Sequence, residues 1–317
     1  MTAVAAAPEA SVLHPAGEQA AVLHEINLVL IVGGTLIFVG MLLLLARAVW
    51  PRPRREVPLS RWVLDGGVVF PAVVLGLLWL YASGRSADLD RMPAAPALTI
   101  AVTGHLWWWD LRYHDAASGL DLRGANELRL PAGRPTLLGL ASADVIHSFW
   151  VPALGGKRDL VPGRVNHLMI TPTRPGVYGG VCAEYCGLQH ARMALRVVVM
   201  PPAEFDRWLA AQAVPAAPAA SAESAAAESG RQAFVAQGCA ACHTVRGVAE
   251  QGALGPDLTH VAGRMNLGAG VLRNGPGAMR QWLVSVQALK PGARMPSYAH
   301  LDAATLDALA RWLEQLH

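Results

Sequence analysis

The chain predicts a multi-domain protein in three parts: a two-helix hairpin, an all-β sandwich or barrel, and an all-α C-terminal segment. Three observations carry this reading. Residues 26–46 and 66–84 hold no charged side chain, and each run is close to the ~20 residues that cross a hydrocarbon core as a helix. Between about residues 97 and 200, short apolar runs alternate with Gly and Pro turn signals. Past an alanine- and proline-rich stretch, helical periodicity surrounds the pentapeptide Cys239-Ala-Ala-Cys-His243.

Composition narrows the class. Over 317 residues, 53% are hydrophobic and the mean hydropathy is +0.32, which points to membrane spans. The net charge is +3 and nearly all the basic residues are arginine, with no stripe of basic and aromatic residues, so nucleic acid is excluded as a partner. The four cysteines form two tight pairs, Cys182/Cys186 and Cys239/Cys242. A disulfide framework scatters its cysteines to staple distant loops; close pairs read as ligands.

The hairpin spans residues 1–90, with transmembrane helices at about 26–49 and 62–83. Arg47, Arg52, Arg54, Arg55 and Arg61 crowd its connection, and the first 25 residues carry no lysine or arginine. By the positive-inside rule the connection is cytoplasmic and both chain ends lie outside. The N-terminus has no basic leader, so no ordinary cleavable signal peptide is expected.

The β-domain spans residues 91–211. Strands are expected at 97–103, 127–130, 135–140, 166–171 and 195–200, with turns at Gly133, Pro135, Pro152, Gly163 and Pro175-Gly176. Pro201-Pro202 ends the last strand, and a short helix over 203–211 follows. Residues 212–228 are poor in bulky apolar groups and read as a linker. Its flexible part spans roughly 20 Å on average, enough to let a tethered domain reorient. The last domain spans 229–317, with Ser229 as candidate N-cap and a final amphipathic helix over 301–316.

Cys239-Ala-Ala-Cys-His243 is the attachment pattern of c-type haem. Two thiols three apart reach the vinyl groups on one porphyrin edge, and the adjacent histidine turns under the iron. A thioredoxin-like pair or half a zinc site fits less well, because no βαβ pattern and no second ligand pair accompany it. The sixth ligand should be methionine, which raises the potential. Met295 lies in a loop before the last helix and is preferred. Met279 sits in a helical pattern where core packing explains it, and Met265 is the weaker alternative.

The stretch Cys182-Ala-Glu-Tyr-Cys-Gly-Leu-Gln-His-Ala-Arg-Met193 gathers thiols, imidazole and thioether within twelve residues. Copper is the metal that takes all three in a rigid β-framework. Val145-Ile-His-Ser-Phe-Trp150 offers a second imidazole, His147, at the end of an apolar strand. Cys182, Cys186, His147, His190, Met193 and the Glu184 carbonyl match the ligand set of a binuclear copper centre with bridging thiolates.

Residues from about 18 to 208 resemble cytochrome c oxidase subunit II, a two-helix hairpin followed by a cupredoxin domain. The resemblance rests on Gly104-His-Leu-Trp-Trp-Trp-Asp110, Asp144-Val-Ile-His-Ser-Phe-Trp-Val-Pro152, Lys157-Arg-Asp-Leu-Val-Pro-Gly163 and the cysteine stretch. Residues 229–317 resemble a mono-haem cytochrome c, through Gly230, Phe234, Trp312 and Gly255-Pro-Asp-Leu258, whose proline carbonyl would hold the histidine ring. Nearly the whole chain thus resembles the subunit II variant fused to cytochrome c.

The resemblance implies that His147, Cys182, Cys186 and Met193 hold one copper, and His190, both cysteines and the Glu184 carbonyl the other. It implies that Glu184 helps hold a magnesium or manganese ion shared with subunit I, and that electrons arrive through Trp107. Packing within a strand explains at least one of Trp107, Trp108 and Trp109 equally well, and His105, His114 and His167 read as structural or surface residues. One departure stands out. Many members carry a glutamate at the start of the second transmembrane helix, where this chain reads Arg61-Trp-Val-Leu-Asp-Gly-Gly67. Asp65 either replaces it or stabilises a helix N-terminus.

The expected function is electron transfer within a terminal haem-copper oxidase of the bacterial cytoplasmic membrane: external cytochrome c to haem c, to binuclear copper, to subunit I, which reduces oxygen. Subunits I and III are the expected partners. A copper-containing nitric oxide reductase is the alternative, and oxygen uptake by the intact complex separates the two. A copper-delivery protein would leave His190, Met193 and the haem pattern without a role.

Overall fold

The computed structural model describes residues 10–50, 58–89, 98–215 and 224–317. The arginines at 52, 54 and 55 and the linker residues 216–223 lie outside the described residues. The chain divides into two compact units, Ala21–Pro93 and the remainder.

In the first unit, α1 (Glu18–Val49) is one continuous helix. A second is built from one turn, α2 (Leu59–Arg61), a π-helical stretch (Trp62–Val69) that carries Asp65, and α3 (Phe70–Leu89). Leu28, Ile31, Leu36, Phe38 and Leu43 of α1, and Val68, Leu75 and Trp79 of the second helix, are all exposed. Both helices are long and apolar enough to cross a membrane, and their most apolar windows are unburied by protein. A helix apolar on every side and packed on nothing needs an apolar solvent. Both run longer than the uncharged stretches because polar turns extend them. From one such turn Glu25 accepts from Tyr81 Oη (3.0 Å) and from Arg85, tying α1 to α3.

In the second unit, two five-stranded sheets form a sandwich. One has the order β3 (Leu120–Ala125), β2 (Trp108–Asp115), β1 (Leu98–His105), β5 (Thr136–Ser142), β8 (Asn166–Ile170). The other runs β4 (Glu127–Pro131), β10 (Ala194–Met200), β9 (Gly176–Cys182), β6 (His147–Trp150), β7 (Arg158–Leu160). The pairs β1–β5 and β4–β10 are parallel, and the remaining neighbours antiparallel. Ile100, Val102, Leu138 and Leu140 face Leu128, Leu130, Phe149 and Val197 in a core that excludes water, as alternation on the two inner faces requires.

Five of these strands follow the apolar runs. The others have no such pattern: β2 reads Trp-Trp-Asp-Leu-Arg-Tyr-His-Asp, and its Asp110 is buried beside Arg112 (3.5 Å) and Arg123 (3.3 Å). The apolar strand expected to end at His147 is corrected. Val145 and Ile146 are exposed and His147 begins β6, because Asp144 and Ser142 turn the chain there. Val145 N donates to Asp144 Oδ1 (2.8 Å), Asp144 N to Ser142 Oγ (3.2 Å), and Ser142 Oγ to Val145 O. Such local side-chain bonds displace a ladder.

Residues ahead of α1 and in its first turn also join the sandwich. Ala16 N donates to Ala153 O (2.7 Å), and Thr171 N to the Gln19 carboxamide (2.9 Å). At the other end, α4 (Pro202–Ala213) seats Phe205 and Leu209 in the core.

The C-terminal domain holds α5 (Ser224–Ala236), α6 (Ala278–Leu289) and α7 (Ala303–Leu313), with a short hairpin of β11 (Asn266–Leu267) and β12 (Leu272–Arg273). Ser229 lies inside α5, so its expected place as N-cap is corrected: Ser224-Ala-Ala-Ala-Glu228 continues the helix backwards, alanine being the best helix former. The final helix is capped by Asp302, which accepts from Thr305 N (3.0 Å). Gly230 is the crossing point of α5 and α7, since a Cβ there would collide with Ala308 O and the Trp312 side chain. Phe234 packs on Trp312 at 5.2 Å between ring centroids. Gly230→Ala should therefore lower the stability of this domain by about 1–3 kcal/mol, read as a lowered denaturant midpoint. An unchanged midpoint would show that the helices do not bear on each other there.

Candidate functional site

The sulfur cluster stands where β6 and β9 of the second sheet meet the loop before β10. Cys182 ends β9, Cys186 lies in the loop, His190 opens a 3₁₀ turn (His190–Arg192) and Met193 follows it. Cys182 and Cys186 are free and buried, with sulfurs 3.7 Å apart. His147 Nδ1 lies 3.8 Å from Cys182 Sγ, His190 Nδ1 3.6 Å from Cys186 Sγ, and Met193 Sδ 3.9 Å from Cys186 Sγ. The Cys182 thiol donates to the Glu184 carbonyl (3.2 Å), while Glu184 itself is exposed. His147, Cys182 and Cys186 present ligand atoms within 4.8 Å of one another.

Two features make this arrangement fit a metal. The first is electrostatic. Against the penalty of burial, the His147 ring and the backbone at Ser148 and Glu184 bring the Cys182 thiol down to about 6. Burial and the neighbouring Cys182 push Cys186 up to about 12. A bound cation would let both ionise. The second is orientation. His147 is completely buried, and its Nε2 lies 2.8 Å from Asp144 Oδ1. A carboxylate accepts, so Nε2 carries the proton and Nδ1 turns its lone pair to the sulfurs. Asp144 in turn accepts from Leu106 N (2.8 Å) and Val145 N (2.8 Å). Gly104 makes room for the ring: a Cβ there would lie 2.8 Å from His147 Cδ2. Asp144 stands three residues before His147 in the motif, the signal by which its role could have been found.

The second centre is a cavity of about 410 Å³ lined by Cys239, Cys242, His243, Met279, Met295 and apolar groups including Phe234 and Leu283. Its size falls within the range, roughly 300–1,000 Å³, of sites that enclose a small molecule or cofactor. Pro256 O lies 2.8 Å from His243 Nδ1; a carbonyl only accepts, so Nδ1 is protonated and Nε2 is the free donor atom. Burial lowers the His243 pKa and keeps the ring neutral. Met279 is almost fully buried in the helical core, Met295 less so, and both line the cavity. Met265 does not line it; its N–H donates to Glu127 Oε2 (2.7 Å).

The two centres share a wall. Leu106 and Trp107 of the turn between β1 and β2, with His105 and Trp108 at the strand ends that flank it, line the cavity. The Trp107 indole Nε1 donates to Cys186 O (2.8 Å), so one side chain touches both sites. Its neighbours differ. Trp108 stacks on half-buried His105 (4.3 Å, 10°), and Trp109 is a core residue set edge-on to Phe149 (6.0 Å). His114 pairs with Asp121 on the surface (2.8 Å) and His167 is exposed. Among the cavity residues that lie outside the motifs is Lys290, buried among backbone carbonyls. Burial pushes its ammonium down to about 7.

Two family models match successive parts of the chain. The family model of the periplasmic domain of cytochrome c oxidase subunit II covers residues 98–200, and that of cytochrome c covers 227–317. Cytochrome c oxidase subunit 2 of Alkalihalophilus pseudofirmus is 34% identical over 246 residues, 77% of this chain and 69% of that one. Subunit 2 of Arabidopsis thaliana is 30% identical over 61% of this chain and 83% of its own length. For Bacillus sp. (strain PS3) the identity is 29%, over 72% and 64%. Among solved structures, the periplasmic domain of cytochrome oxidase subunit II of Bradyrhizobium japonicum aligns at 30% identity and a TM-score of 0.36, covering 38% of this chain and 96% of that one.

Asp144→Asn should free the His147 ring to adopt the wrong tautomer and weaken copper affinity by about 10- to 100-fold, measured by chelator competition. Unaltered affinity would mean that the carboxylate does not orient the ring.

Proposed function

The chain belongs to the cytochrome c oxidase subunit II family and carries a cytochrome c domain, and we propose that it accepts electrons from an external cytochrome c and delivers them to subunit I of a terminal haem-copper oxidase, which reduces oxygen to water. One observation carries the reading. The sulfur cluster and the CxxCH cavity lie in one compact unit with the Trp107 indole bonded to Cys186 O on one side and lining the cavity on the other.

In this reading His147, Cys182, Cys186 and Met193 hold one copper, and His190, both cysteines and the Glu184 carbonyl hold the other. Cys239 and Cys242 would attach the haem, and His243 and Met295, which line the same cavity, would hold its iron. Both groups supply one-electron acceptance and release when bound. The chain's own residues do the rest. Asp144 and Pro256 set the tautomers of His147 and His243. Phe234, Leu283 and Leu313 keep water from the cavity, which favours the less charged, reduced state. Trp107 supplies a covalent and hydrogen-bonded link between the cavity and the Cys186 backbone.

The exposed Glu184 carboxylate is free to share a magnesium or manganese ion with subunit I. In this reading the hairpin lies in a bacterial cytoplasmic membrane, and the arginine-rich connection supports an orientation with both termini and both redox domains outside. The expected domain limits of 1–90, 91–211 and 229–317 suit this arrangement with the linker shortened to 214–223, since α4 runs to Ala213 and α5 begins at Ser224, and subunits I and III are its partners in the membrane.

The purified oxidase should show a low-spin c-type haem spectrum and a mixed-valence copper signal, with two coppers in this chain per haem c. His147→Leu should abolish that signal and leave the haem spectrum unchanged; a surviving signal refutes the ligand set. Met295→Ala should alter the axial-ligand band of the ferric haem, and a spectrum like that of the unsubstituted chain would transfer the role to Met279.

A further inference from the structure

Lys290 follows the last residue of α6 and is only 4% exposed. It is one of two lysines in a chain that otherwise uses arginine for its basic charge. Its Nζ donates to Trp107 O (2.7 Å), Gly268 O (2.7 Å) and Arg192 O (3.0 Å), so each of its three N–H groups has an acceptor. An ammonium withdrawn from water is tolerated only when it is hydrogen-bonded in this way. The three carbonyls come from separate segments. A compact ammonium converges on them, where the planar fork of arginine would not.

Two of the three acceptors belong to the β-domain, and both frame the proposed redox path: Trp107 is the aromatic between the sites, and Arg192 precedes Met193. The residues on either side of Lys290 face the same loop. Arg192 Nη1 donates to Leu289 O (2.7 Å), and Gln189 Nε2 to Pro291 O (2.8 Å). Three successive residues, Leu289, Lys290 and Pro291, thus engage the loop from Gln189 to Arg192, which contains His190. The same chain segment continues to Met295. A lysine buried only to complete its own domain would find its acceptors there; Lys290 finds one at home and two across the interface.

We infer that Lys290 is a positioning residue for electron transfer, fixing the cytochrome domain against Trp107 and the copper loop through its three carbonyl bonds. The inference rests on the reading above that both cofactors reside in this chain. The linker and the apolar contacts bring the domains near each other, and Lys290 sets the register in which Trp107 abuts the cavity.

The test uses the assembled, fully loaded oxidase. A photo-excited ruthenium complex reduces haem c in a flash, and haem reoxidation by the copper site is followed optically. Lys290→Met should slow reoxidation by about tenfold or more and make it depend on solvent viscosity, because the domains must then find their register by diffusion. The haem spectrum and the mixed-valence copper signal should stay unchanged, which a general loss of folding would not permit. Reoxidation within about twofold of the unsubstituted rate, with unchanged viscosity dependence, overturns the role. Should Lys290→Met fail to take up haem, Gln189→Ala decides: slowed, viscosity-dependent transfer upholds the registered interface, and unsubstituted rates overturn it. Absence of either spectroscopic signal in the unsubstituted chain would instead overturn the proposed function, so the two failures are distinct.

Discussion

Cys182 and Cys186 are buried with their sulfurs 3.7 Å apart, and in so little solvent a second negative charge is costly without a cation to share it. Much of the β-domain serves to hold this pair. Strand β9 ends on Cys182, a tight loop brings Cys186 back beside it, and β6 delivers the fully buried His147 from the neighbouring strand. A sandwich core of interdigitated aliphatic side chains cannot relax around such a cluster, so its ligand atoms are placed before any metal arrives. Asp144 completes the arrangement by fixing which imidazole nitrogen faces the sulfurs.

The C-terminal domain is organised by a similar rule. His243 is held through its far nitrogen by Pro256 O, and the cavity that it faces is closed partly by its own helices and partly by the β1–β2 turn of the other domain. The interface is therefore no passive contact. It joins a polar network of Lys290, Gln189 and Arg192 to the backbone of Trp107, whose indole touches both centres. Buried polar groups of this kind specify one arrangement among many that apolar contact alone would allow.

Trp107, Trp108 and Trp109 illustrate how location decides role. The three residues are chemically identical and consecutive. One bonds the copper loop, one stacks on His105 and one fills the sandwich core. Strand alternation accounts for neighbours pointing to opposite faces, but which face meets the other domain is a property of the assembled interface.

The order of the domains, the apolar helices, five of the ten sandwich strands and the thiols and imidazole that cluster at Cys182 can be read from the sequence alone. These are legible because hydrophobic runs of bilayer length, alternating strands and closely spaced soft ligands are local patterns. Tertiary structure decided the rest. Strands such as β2, with a buried and paired aspartate, hide their alternation. The turn at Asp144 moved His147 from the end of a strand to the start of one. Ser229 was absorbed into a helix that alanine extended. No local pattern in the sequence marks Lys290. Only folding places it among three carbonyls that are 98 and 183 residues away on one side of the interface and 22 on the other, because its value lies in long-range geometry that no local pattern encodes.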